Sequence, residues 1–135
     1  MKKIFVLFFS IVLLTACSKD NNPASDPVLG KWFVAEVNNP PGDFTLSDCN
    51  TNSFMTFNAD GTTNSVFYTQ VDGNCTAGPS TPSEWSQQSG IYTFTIPIPE
   101  LEAFSPLVGT IQFNAGTFTF TPTFSSGTTI VFNKG

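Results

Sequence analysis

The chain has no histidine and no arginine, and only 11% of its 135 residues are charged. Each shortage closes a class of function. Without histidine, a Ser-His-Asp or Cys-His catalytic group cannot be assembled, and the commonest proton shuttle and metal ligand is missing. Without arginine, and with five lysines against ten acidic residues, no basic face for a nucleic-acid partner can form. The longest unbroken apolar run falls short of the roughly 20 residues that a membrane-spanning helix needs. Three cysteines are an odd number for an exported chain.

Carboxylates are the remaining chemistry. Glu100 and Glu102 lie in one proline-flanked segment, and Asp43 and Asp48 flank another. Glycosidase chemistry holds two carboxylates about 5–10 Å apart across a substrate, one with a raised pKa. Neither neighbourhood marks such a pair, so these residues read as solvated loop charges. Asp60-Gly61 and Asp72-Gly73-Asn74 read as turn formers and lack the spaced oxygen ligands of a calcium loop. No catalytic residue, no metal site and no cofactor is expected, and the chain is not expected to be an enzyme.

What is present begins at the N-terminus. Lys2 and Lys3 precede the apolar run 4–14, the form of a secretory signal. Leu14-Thr15-Ala16-Cys17 resembles a bacterial lipoprotein lipobox, which implies cleavage before Cys17 and a diacylglycerol on its thiol. Lipidation of Cys17 would leave Cys49 and Cys75 as the remaining pair, expected as a disulfide, with no thiol free for catalysis or zinc. Such a bridge closes a loop of about 26 residues and contributes roughly 3–4 kcal/mol in the chain-entropy model. Cleavage also removes two lysines and no acid. The expected organisation is a signal peptide over residues 1–16, a lipidated flexible tether over 17–27 and one domain over 28–135. Lys19-Asp20 resembles the charged export signal of surface lipoproteins in the Bacteroidetes.

Within the domain the pattern is all β. Strands are expected at 28–37, 53–57, 62–70, 84–86, 91–96, 107–114, 117–122 and 128–133, with a loop over 71–83. One helical turn is expected at 100–104, beyond the ladder-breaking Pro97 and Pro99. Gly61 follows Asn58-Ala59-Asp60 and suits a type I turn closed by a glycine with positive φ. Phe118 and Phe120 alternate with Thr117, Thr119 and Thr121, and Leu107, Ile111 and Phe113 alternate with Val108, Thr110 and Gln112. About eight strands joined by short connections predict an antiparallel up-and-down β-barrel.

Leu29-Gly30-Lys31-Trp32 resembles the Gly-x-Trp signature that opens lipocalin-type barrels. With Ser47-Asp48-Cys49, Met55–Thr62, Cys75 and Glu84-Trp85, it is similar to the small lipocalin-like domains of Bacteroidetes lipoproteins. The resemblance implies a disulfide bracketing the Phe57–Thr62 hairpin and a lipocalin-like barrel. The chain departs from the pattern in having Ser83-Glu84-Trp85 and no arginine to close the barrel base over a tryptophan.

The leading expectation is a non-catalytic envelope lipoprotein, anchored in the outer membrane through its lipid and binding a small apolar ligand. Trp32, Phe113, Phe118 and Phe120 are the candidate ligand residues. The alternative is a protein-interaction module, an inhibitor or accessory subunit, acting through its loops in the periplasm or at the cell surface. The aromatic interior is either a packed core or a pocket, and a chain this short favours the packed core, with binding then through the loops at the barrel mouth.

Overall fold

A strand that alternates phenylalanine with threonine can bury one face only, and several such strands in series close most economically on themselves. The computed structural model describes residues 25–135, so residues 1–16, Cys17 and Lys19-Asp20 lie outside the described residues. It has β1 (Gly30–Asn38), β2 (Phe54–Phe57), β3 (Thr62–Val66), β4 (Tyr68–Val71) and β5 (Asn74–Ala77). These are followed by β6 (Thr81–Gln88), β7 (Ile91–Phe94), β8 (Leu107–Asn114), β9 (Thr117–Pro122) and β10 (Thr129–Lys134).

Eight strands form a closed antiparallel barrel in the order β1-β10-β9-β8-β7-β6-β3-β2. Each barrel strand lies beside its sequence neighbours, and β10 closes the circle on β1 from Trp32↔Lys134 to Asn38↔Thr129. This is the expected up-and-down barrel. The expected strand at 62–70 is two strands, and the expected loop at 71–83 is largely extended. The chain turns out of the wall at Phe67, whose carbonyl accepts a 2.8 Å bond from Gly78 N. Between those residues β4 and β5 form a separate hairpin around Asp72-Gly73, both at positive φ. The strand expected at 84–86 starts earlier, at Thr81, and the one expected at 91–96 stops at Phe94.

The meander gives the barrel two different ends. At the base, connections are tight: 58–61, 89–90 and 115–116. Gly61 has φ +83°, as the turn requires. The Asp60 carboxylate accepts bonds from Thr62 Oγ1 (2.6 Å) and Thr62 N (2.9 Å), which hold its carboxyl below the usual range. At the other end, the mouth, lie 39–53, the β4–β5 hairpin, 95–106 and 123–128.

The N-terminal part enters at the base. Asp26 accepts from the Tyr92 hydroxyl at 2.9 and 3.0 Å and from Val28 N at 2.9 Å, although the sequence places it in the tether. Trp32 Nε1 donates to Val28 O at 2.6 Å. Lys134 Nζ lies 5.1 Å from the Trp32 ring centroid, so a lysine stands where the sequence offered no arginine.

Burial first, then the hydrogen bond to Asp26 and its charge, push the Tyr92 phenol well above its ordinary value of 10.0. A raised folded-state pKa stabilises the fold fully below the unfolded value and loses that contribution as pH climbs through the folded one. Phenolate absorbance should therefore show one late-ionising tyrosine, lost in Tyr92→Phe, with stability falling only above about pH 10. A Tyr92 that ionises as a free phenol would contradict the Asp26 latch.

Candidate functional site

An eight-stranded barrel has an interior just wide enough to be filled by side chains. Here rings fill it. Phe118 packs on Phe132 at 4.5 Å, Trp32 at 4.7 Å, Phe113 at 5.8 Å and Phe57 at 6.5 Å between centroids. Phe57 continues the network to Phe94 (5.4 Å) and Trp85 (5.8 Å), and Phe94 continues it to Phe120 (4.7 Å). Trp32 is 3% exposed, and Phe118 and Phe120 are 0% exposed. Gly109 has no room for a side chain, because a Cβ there would collide with the Thr121 carbonyl and the Phe120 ring. The structure thus brings the four candidate ligand residues into one contiguous core. Phe113 is the least buried of them, and none of the four lines the mouth groove described below.

The mouth is built differently. The segment 95–106 folds across it and drops Ile96, Ile98 and Leu101 into the core, with a 3-10 turn over Pro99–Phe104. The hairpin leans in from the opposite side. Its position is fixed by the Cys49–Cys75 disulfide, with Cα atoms 5.4 Å apart, and by two 2.8 Å bonds. In these, Asn50 Nδ2 donates to Tyr68 O and Tyr68 N donates to the buried Ser53 Oγ. Thr128 Oγ1 ties 123–128 to Asn39 O at 2.7 Å.

Between cap and hairpin the wall is split. β6 pairs with β3 over Thr81–Glu84 but with β7 only from Trp85 onward. The reason is in the sequence. Pro82, Pro97 and Pro99 have no amide hydrogen to donate, so the ladder cannot zip up to the mouth. The inward faces of β3 and β6 here carry Thr63, Ser65, Thr81 and Ser83 instead of rings. Small hydroxyl residues leave space. The result is a groove of about 330 Å³ walled by Phe67, Pro79, Ile96, Pro97, Ile98 and Pro99. Ser65, Thr69, Thr81 and Thr95 supply hydroxyls to it, and Glu102 supplies a carboxylate. Outside the split a second recess, of about 490 Å³, is lined by Ser83, Glu84, Trp85, Thr93, Thr95 and Pro106.

Sequence reasoning pointed to the loops of the barrel mouth but did not resolve this groove, although its signals were present. Asp72-Gly73 between short runs of Thr and Val is a hairpin signal. Hydroxyls alternating at 63, 65, 81 and 83 mark the one stretch of wall without aromatic filling. Among the described residues no three acidic or cysteine side chains converge as a metal site, and no helix is long and apolar enough to cross a membrane.

The profile of a family described as a lipocalin-like domain matches residues 28–133. A profile described as a prokaryotic membrane lipoprotein lipid attachment site matches residues 1–18 and so spans Cys17. No curated protein and no solved structure matches the chain.

Because the disulfide holds the hairpin from outside the barrel ladder, its loss should loosen the mouth before the barrel. Cys75→Ser should cost about 2–5 kcal/mol. Amide exchange should rise over 68–77 while β8, β9 and β10 keep their protection. Equal loss of protection in β9 would show that the hairpin and the barrel unfold as one unit.

Proposed function

The chain belongs to the lipocalin-like domain family, and on that premise we propose that it is a non-catalytic, lipid-anchored envelope protein holding a small, largely apolar ligand at its barrel mouth. The observation that carries the proposal is the split wall. Its groove is concave and mostly apolar with a few convergent polar groups, in the size range of small-molecule sites. In this reading Trp32, Phe113, Phe118 and Phe120 support the groove from beneath and do not touch the guest. Cys17 carries the lipid, and the protein is an outer-membrane lipoprotein of the Bacteroidetes type, a placement resting on Lys19-Asp20 just after Cys17.

The polarity of the barrel fits such an anchor. The chain enters at the base through Asp26, and Lys31 and Lys134 lie near that same end. The lipid side is then the base, and the mouth faces away from the bilayer. A second reading, docking of a protein partner, is favoured by Phe104, which is 40% exposed at the rim and stacked 4.4 Å from Phe124.

A neutral apolar dye such as Nile red tests the two readings. It should bind saturably and raise stability by about 2.7 kcal/mol at a hundredfold excess over Kd. Thr81→Phe should fill the groove and abolish that binding. Phe120→Ala should cost roughly 3–5 kcal/mol of stability, as a packed-core deletion does, and leave affinity unchanged. Binding that survives Thr81→Phe but is lost in Phe120→Ala would move the site into the barrel interior. Absence of any saturable binding would favour the protein partner.

A further inference from the structure

The groove has a sign as well as a shape. Building on its reading as a small-molecule site, we infer that its ligand is a cationic amphiphile: an apolar body carrying an amine head, with the head at Glu102. The wall accounts for the body. Phe67, Ile96, Pro97 and Ile98 offer no hydrogen bonds from their side chains, so this part of the guest is hydrocarbon. Glu102 accounts for the head, since it is the one charged residue of the groove lining among the described residues.

The surroundings reinforce that sign. Asp43, Asp48, Asp72, Glu100 and Glu102 all lie on the connections at the mouth. The lysines among the described residues do not line it and are already engaged. Lys31 Nζ lies 3.7 Å from the Phe54 ring centroid and 4.9 Å from that of Phe33, and Lys134 covers Trp32 at the base. No lysine lines the groove or the recess beside it, whose own charged residue is Glu84. A carboxylate or phosphate head would enter a field of its own sign with no partner, whereas an ammonium would be drawn in and paired.

The floor can also hydrogen-bond a head group. Ser65 and Thr81, both hydroxyl residues, are part of the groove lining. An ammonium brings three donors to such acceptors.

Three probes with one hydrocarbon body separate shape from sign: octylammonium, 1-octanol and octanoate, titrated calorimetrically. The protein is the full chain carrying Cys17→Ser, so that no acyl chain or detergent competes. Octylammonium should bind about twofold to fivefold more tightly than 1-octanol, the range of one exposed ion pair, and octanoate should bind most weakly. Glu102→Gln should bring octylammonium down to the affinity of 1-octanol. Glu36→Gln, which removes the same charge from the outer wall, should leave the preference intact. Octanoate binding as tightly as octylammonium, or a preference indifferent to Glu102→Gln, would overturn the charge assignment while leaving the groove as a site. An equal effect of Glu36→Gln would trace the preference to net charge and overturn the role of Glu102. Failure of all three probes to bind would overturn the groove itself as a small-molecule site, and the ligand class with it.

Discussion

The contact of Phe118 with Trp32, Phe132, Phe113 and Phe57 decides how this barrel is used. Edge-to-face and stacked ring pairs each contribute about 0.5–1.5 kcal/mol beyond the area they bury. Because the network is continuous from Trp85 to Phe120, a guest in the interior would have to displace several such pairs at once. The packing is tight enough that Gly109 cannot carry even a methyl group. Filling the interior stabilises a small domain, and the proposed binding falls where the rings stop. They stop at β3 and at the Thr81–Glu84 part of β6, where hydroxyl residues face inward and prolines halt the ladder.

Base and mouth answer different demands. The base is closed by short turns, by Asp26 on Tyr92 and by Lys134 over Trp32. The mouth carries the long connections, and each is pinned. The disulfide and Asn50 hold the hairpin, Ile98 and Leu101 anchor the cap in the core, and Thr128 ties 123–128 to Asn39. Such pinning lets loops form a lasting groove, since a binding site on loops is only as well defined as the contacts that hold them. It also explains why a disulfide lies at this end. The barrel closes through β1 and β10 without it, whereas the hairpin has no barrel strand as a partner.

The barrel was legible because its signals are local and periodic. Phe118, Phe120 and their threonines announce β9, and Asn58-Ala59-Asp60-Gly61 announces its own turn; both elements form as read. The pairing of Cys49 with Cys75 followed from counting. The less legible parts depend on long-range geometry. Whether 62–70 is one strand or two depends on where the wall must bend, and that is set at Phe67 by its bond to Gly78. Val71 to Ser83 has a loop's composition, yet its Thr and Val flank an Asp-Gly turn and pair as β4 and β5. Asp26 looked like part of a tether because its partner, Tyr92, lies 66 residues further along the chain. The groove was hidden for the same reason. Its walls come from two separate connections, 67–80 and 95–106, and its prolines look like ordinary strand breakers until β6 and β7 are placed side by side.

The central claim is that the interior is packed and that binding belongs to the mouth. Amide and indole chemical-shift mapping with 1-octanol on isotope-labelled protein tests it most directly. The account predicts shifts confined to 65–69, 78–81 and 95–102, with the Trp32 indole and the amides of Phe118 and Phe120 unmoved. Shifts centred on Trp32, Phe118 and Phe120 would contradict it, because they would show that the rings part to admit a guest.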